Sequence, residues 1–88
     1  MTSAEALWTA IESSCERDTW LPLHQIFAMV ERHIQFDEDD RLPHAPGARG
    51  LAWQKNVRVV LQARREHGDV LWDARGNYKL PTRPPRPI

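Results

Sequence analysis

The fold is decided by residues 51–80, which read LAWQKNVRVVLQARREHGDVLWDARGNYKL. Helical periodicity runs from about Leu51 to His67, and Gly68 then supplies the residue type that most often ends a helix. The residues that follow favour two short strands, 69–72 and 77–80, joined by a glycine-containing turn. The second half of the chain is therefore predicted to be one long helix followed by a β-hairpin.

Two shorter helices are predicted before this region. The first runs from about Ser3 to Cys15, and the second runs from about Leu23 to His33, with Pro22 suited to its first turn. A short extended segment at 19–21 lies between the two helices. An acidic run, two prolines and two glycines predict an exposed loop at 36–50.

This order of elements predicts a single α+β domain, mainly α, over residues 1–81. The predicted architecture is a winged helix, in which three helices are followed by a two-stranded β-hairpin wing. Residues 82–88, TRPPRPI, are predicted to form a flexible tail rich in proline and arginine. Winged helices serve both as DNA-binding domains and as protein-interaction modules, so the fold alone leaves the function open.

Charge divides the chain into two halves. Residues 1–40 carry two basic and nine acidic side chains, a net charge of −7, whereas residues 41–88 carry ten basic and three acidic side chains, a net charge of +7. This asymmetry favours an anionic partner for the second half. The alternative is that the two halves simply attract each other within the fold.

Composition also bears on location and on covalent structure. The single cysteine, Cys15, excludes an internal disulfide, and no apolar run approaches the roughly 20 residues that cross a bilayer. The first ten residues lack the basic start of a secretory signal. We therefore expect a cytoplasmic protein with no membrane partner, and we expect a monomer.

The third predicted helix has one apolar side and one polar side. The apolar side carries Trp53, Val57, Val60, Leu61 and Arg64, which should face the other helices. The polar side carries residue types that read base edges, and the stretch 49–65 contains no acidic residue. The alternative is an ordinary solvated helix face. The predicted DNA-binding residues of this helix are Lys55, Arg58 and Gln62, with Gln54 and Asn56 at the margins.

Further DNA contacts are predicted around the helix. Arg49 precedes the helix, whose N-terminal amides also attract phosphate, and Arg75, Asn77 and Lys79 lie on the hairpin. Polar residues at a hairpin tip also occur for solubility alone, so that alternative stays open.

Three aromatic residues near the junction of helix and hairpin, Trp53, Trp72 and Tyr78, are candidate contacts for a base or its methyl group. Core packing is the alternative for each, and it is favoured for Trp53. Because side chains alternate along a strand, either Leu71 or Trp72, but not both, is expected to point into the core.

A resemblance sharpens the functional expectation. The chain resembles the winged helices attached to modification-dependent restriction endonucleases and, more loosely, the HARE-type helix-turn-helix of restriction and chromatin proteins. The resemblance implies a reader of double-stranded DNA that carries modified bases such as 5-methylcytosine. It covers about residues 4–81 and rests on PLHQI at 22–26, WQKNVR at 53–58, LQ at 61–62, GDV at 68–70 and GNYKL at 76–80.

The endonuclease pattern is incomplete here, because no nuclease domain accompanies the predicted winged helix. A free-standing reader would recruit or regulate another protein, or act with a separately encoded effector or nuclease. The alternatives are a protein-interaction module, which docks a partner through the acidic face or the tail, and a sequence-specific transcription regulator.

Catalytic chemistry is not indicated by any motif. The acidic run 37–40 lacks the ligand alternation of a calcium loop, and the four histidines lack the spacing of zinc ligands. We expect no catalytic residues, no metal site and no cofactor.

Overall fold

The computed structural model describes residues 1–82, so the predicted tail, apart from Thr82, lies outside the described residues. The fold is α+β and mainly helical, as the sequence predicts. Its elements are, in chain order, α1 (Ala4–Ser14), β1 (Leu21–Pro22), α2 (Leu23–His33), α3 (Ala52–Glu66), β2 (Leu71–Trp72) and β3 (Asn77–Lys79).

Local sequence signals explain where the helices begin and end. The Ser3 hydroxyl accepts a hydrogen bond of 3.1 Å from the backbone N–H of Ala6 and so caps α1. At the start of α3, the Gln54 side-chain oxygen accepts a hydrogen bond of 3.0 Å from the backbone N–H of Leu51. Gly68, with a φ of +80°, follows the last turn of α3 in the left-handed conformation.

One hydrophobic core lies between the three helices and the sheet. The apolar stripe predicted for the third helix is confirmed for its aliphatic members and for Trp53, which are all buried. Trp53 is stacked on Phe36 with ring centroids 4.5 Å apart, and it meets Phe27 edge-on at 5.4 Å. The residues that are least exposed, at 1% or below, are Leu7, Ile11, Ile26, Val30, Val57, Leu61, Val70, Leu80 and Asp40.

The sheet has three antiparallel strands in the order β1-β3-β2, so the prediction of a two-stranded hairpin is wrong in strand count. Leu21 of β1 pairs with Tyr78 of β3, and Trp72 of β2 pairs with Tyr78 from the other side. The extended segment expected between the first two helices thus ends in a strand. Its partner lies more than fifty residues further along the chain, a pairing that local periodicity does not reveal.

The segment between α2 and α3 departs from the expected exposed loop at two positions, Phe36 and Asp40, which are 6% and 1% exposed. The Asp40 carboxylate accepts hydrogen bonds from the Thr2 backbone N–H at 2.9 Å, the Thr2 hydroxyl at 2.8 Å and the Asp37 N–H at 3.2 Å. The Asp40 backbone carbonyl accepts another, of 3.0 Å, from the N–H of Trp53. Asp40 therefore ties the start of α1, the loop and the start of α3 together, which explains why a charged residue is buried here.

Candidate functional site

The outer face of α3 carries a continuous row of basic and polar side chains. We call this row, made of Lys55, Arg58, Gln62 and Arg65, the basic stripe. Its members follow one another at steps of three and four residues, so they lie on one side of the helix. The first three are exposed and Arg65 is half-buried. At a rise of about 1.5 Å per residue, the stripe is about 15 Å long.

Arg65 is missing from the predicted DNA-binding set. Arg65 lies in the last turn of α3, where positive charge also complements the helix dipole. The spacing of Arg65 from Arg58 and Gln62, seven and three residues, would have identified it as a member of the same row.

The C-terminal end of the basic stripe meets the inner face of the sheet and forms a recess there. We call this recess the aromatic groove. Trp72 and Tyr78 are cross-strand partners and so project from the same face of the sheet, next to α3. The groove has a volume of about 300 Å³ and is lined by Arg58, Gln62, Arg65, Trp72 and Tyr78. This volume is at the lower end of the range for small-ligand pockets.

The expectation that either Leu71 or Trp72 points into the core is wrong, because both are 43% exposed. The core position at this end of the chain is taken by Val70, which is 1% exposed and precedes the strand. β2 is an edge strand of two residues, and its tryptophan ring contacts the Arg65 guanidinium at the groove instead of entering the core. One face of the Trp72 ring is thus covered by an arginine.

The arginines near the end of α3 differ in their partners. Arg64 lies over the Trp8 ring at 4.8 Å and forms an ion pair of 3.3 Å with Asp69. Arg65 lies over the Trp72 ring at 4.5 Å. Within residues 1–82, neither Arg58 nor Arg65 has an ion-pair partner. The groove therefore has two guanidinium groups that the described part of the fold does not neutralise.

The hairpin turn uses Asn77 for its own structure, which argues against the predicted phosphate contact. The Asn77 side-chain N–H donates to the Asp73 carboxylate at 2.7 Å, and the backbone amides of Arg75 and Asn77 donate to the same carboxylate at 2.7 and 3.1 Å. The hydrogen bond from the Asn77 side chain is the largest cause that lowers the pKa of Asp73. The backbone hydrogen bonds from Arg75 and Asn77 lower it further. Arg75 is exposed at the tip of the turn, where a phosphate can reach it.

Lys79 and the aromatic groove lie on opposite faces of the sheet, so the predicted hairpin contacts do not form one surface. Side chains alternate along β3, and Tyr78 faces the groove. The Lys79 ammonium instead lies 5.5 Å from the centre of the Trp20 ring. Trp20 is 46% exposed, and Leu71, the cross-strand partner of Lys79, is 43% exposed. We call Trp20, Leu71 and Lys79 the outer sheet face.

The remaining predicted site residues lie at or near the start of α3. Trp53 is 3% exposed, so its ring is not available to a base, and the predicted base contact is wrong for this residue. The Gln54 side-chain oxygen is engaged at the helix start, and Asn56 is half-buried. Arg49 is exposed in the loop that leads into the helix.

Residues 1–82 contain neither a membrane-spanning helix nor a metal-binding cluster. No helix in this part of the chain is both long enough and apolar enough to cross a bilayer. These residues also contain no cluster of three or more histidine, cysteine, aspartate and glutamate side chains placed to hold a metal ion.

No family model, curated protein or solved structure matches this chain. The resemblance to endonuclease-attached winged helices therefore stays a prediction.

Proposed function

We propose that this chain is a winged-helix domain that binds double-stranded DNA, with α3 in the major groove. The observation that carries the proposal is the basic stripe, which ends at the aromatic groove. The stretch 49–65 contains no acidic residue, whereas a merely solvated helix face usually mixes charges of both signs. A row of unneutralised cations on one helix suits a polyanion.

The arrangement of elements supports the winged-helix form of this proposal. Three helices followed by a C-terminal hairpin are the order expected of a winged helix, and β1 adds a third strand to that hairpin by pairing with β3. In the helix-turn-helix mode, the second helix of the motif enters the major groove while the preceding helix crosses the backbone. In this chain those helices are α3 and α2.

The dimensions of the stripe suit a major groove. That groove is about 12 Å wide and admits an α-helix. A stripe of about 15 Å spans roughly four base pairs at about 3.4 Å each. Arg49 before α3 and Arg75 on the hairpin tip would then contact phosphates on either side, which fixes the position of the helix without specifying sequence.

A reader of modified bases is the sharper form of the proposal. The aromatic groove offers apolar ring surface at Trp72 and Tyr78 beside the hydrogen-bonding groups of Gln62 and Arg58. Such a site can accept an apolar substituent on a base edge, as side chains do with the thymine methyl group. A 5-methylcytosine in the major groove presents its methyl group at the same ring position.

The test is fluorescence-anisotropy binding to duplexes of one sequence that are unmodified, carry 5-methylcytosine or carry N6-methyladenine, each at two salt concentrations. Preference for one modification would support the modified-base reader. Equal binding that weakens steeply with salt would leave a general or sequence-specific DNA binder. Absence of binding at low salt would refute the proposal.

Trp72→Leu is the informative variant for the modified-base form, and Trp20→Leu is its matched control. The two tryptophans are similarly exposed, at 43% and 46%, and each lies against one basic side chain. They occupy opposite faces of the sheet. Loss of modification preference in Trp72→Leu but not in Trp20→Leu would place the recognition in the aromatic groove.

A protein-interaction module is the second candidate function, and the outer sheet face favours it. Trp20 and Leu71 expose large apolar side chains on either side of Lys79, on the face of the sheet away from the basic stripe. Exposed apolar clusters of this kind often mark protein contacts. A shallow dependence of any DNA affinity on salt, together with no loss in the basic-stripe variants, would favour this candidate.

A further inference from the structure

We propose that Arg65 reads a guanine base and that Trp72 positions its guanidinium for that contact. The inference rests on the proposed DNA-binding function and goes beyond it by naming the residue and the base. Guanine presents two acceptors, O6 and N7, in the major groove, and the planar fork of an arginine matches both at once. The geometry at the end of the basic stripe explains why Arg65 suits this task better than its neighbours do.

The Arg65 guanidinium is held by a ring contact. Its central carbon lies 4.5 Å from the centre of the Trp72 ring, and Trp72 is itself fixed by pairing with Tyr78. A bidentate contact needs the fork in the plane of the base, and an arginine restrained in advance loses less conformational entropy when it binds. Half-burial of Arg65 further limits the positions of its side chain.

Arg64, in the same turn of α3, differs from Arg65 because its guanidinium serves the fold. It too lies over a tryptophan, Trp8, but this ring is 6% exposed and the guanidinium donates to Asp69. The donors of Arg64 thus serve the protein. Arg65 combines a comparable ring contact with an exposed partner ring and, within residues 1–82, with no acidic partner.

Arg58 lines the same groove but lacks the restraint. Within the described residues no aromatic ring lies over its guanidinium, and its side chain is exposed. Such an arginine suits a phosphate, which accepts hydrogen bonds from many directions. Arg65 and Arg58 are therefore assigned to base reading and backbone contact, respectively.

The experiment begins with selection of preferred duplexes from a random library by the wild-type chain. Each guanine of the selected site is then replaced by 7-deazaguanine, which lacks the N7 acceptor but still pairs with cytosine. At one guanine we expect wild type to lose roughly tenfold in affinity, as removal of half a bidentate contact implies. Arg65→Ala, which removes the side-chain donors, should show no such loss at that guanine.

Arg64→Ala is the matched control and should remain as sensitive to 7-deazaguanine as wild type. Trp72→Leu should lower this sensitivity without changing how affinity depends on salt, because it removes no charge. A purely structural role for Trp72 would instead weaken binding to all duplexes equally. Thermal melting of each variant separates loss of recognition from loss of folding.

The outcomes distinguish this inference from the function on which it rests. Two outcomes would overturn the role of Arg65 and leave DNA binding intact: no guanine at which 7-deazaguanine lowers affinity, or full sensitivity to 7-deazaguanine retained in Arg65→Ala. Absence of any DNA binding by wild type at low salt would overturn both.

Discussion

Removal of two charges from the basic stripe gives the most direct quantitative test of the interface. Lys55 and Arg58 are exposed on the outer face of α3, so the double variant Lys55→Ala, Arg58→Ala should change the free energy of unfolding by no more than about 0.5 kcal/mol. Each phosphate contact adds about 0.9 to the slope of log affinity against log salt, so loss of both contacts should lower that slope by about 1.8.

This change in slope predicts how much less the affinity of the double variant falls with salt than the affinity of wild type. Between about 50 and 200 mM salt, the loss in affinity of the double variant should be smaller than that of wild type by a factor of about twelve. At low salt its affinity should be lower than that of wild type by at least about tenfold. The assay is fluorescence anisotropy with one duplex over a series of salt concentrations, with thermal melting as the check on folding.

A charge-matched control is Arg17→Ala, Lys79→Ala, which also removes two positive charges, one in the segment after α1 and one on the outer sheet face. This control should keep the wild-type slope. A folded double variant of Lys55 and Arg58 with unchanged slope and affinity would remove α3 from the interface and refute the reasoning.

Three further predictions concern the fold that holds the site. Leu61→Ala should lower the free energy of unfolding by about 2–5 kcal/mol in chemical denaturation, because Leu61 is 0% exposed, whereas Val59→Ala, at a residue 54% exposed, should have little effect. Asp40→Ala should cost about 1–3 kcal/mol in the same measurement, because it leaves buried donors without an acceptor; a variant as stable as wild type would contradict that role. The pKa of Asp73 is lowered in the fold, so its stabilisation of the hairpin is present above the unfolded pKa of about 3.9 and is lost as the pH falls through the folded value. NMR titration of the hairpin amides should show this transition, and Asn77→Ala should move it to higher pH.

Helices were the most predictable part of the molecule. The predicted ranges 3–15, 23–33 and 51–67 differ from α1, α2 and α3 by at most one residue at each end. The reason is that caps, proline and glycine act locally, and apolar periodicity marks the buried side of each helix. The inward positions of Val57 and Leu61 followed from the same periodicity.

The features that were missed depend on distant parts of the chain. Burial of Asp40 requires Thr2 as its partner, and the pairing of β1 joins Leu21 to Tyr78. Leu71 and Trp72 lie on alternate faces as expected, but neither is buried, because a two-residue edge strand is too short for the core to cover one face. No local pattern specifies these outcomes.

The candidate site was predictable in its residue types and only partly in its geometry. Charge and periodicity placed Lys55, Arg58 and Gln62 outside, but they did not separate residues that serve the fold from residues that face solvent. Trp53 and Asn77 belong to the fold, through ring packing and through the hairpin turn. That distinction requires three-dimensional contacts.

The pairing of β1 with β3 has a consequence for how the protein is made. Leu21 cannot form its strand pairing until Tyr78 has been synthesised. The Asp18 N–H likewise has no acceptor until the carbonyl of Leu80, 2.8 Å away in the fold, is present. Closing so long a loop has an entropic cost, and only the contacts of the last strand offset it. A nascent chain from which Leu80 has not yet emerged from the ribosome therefore exposes the apolar sides of three helices. Fragments that stop before the hairpin should therefore aggregate during expression.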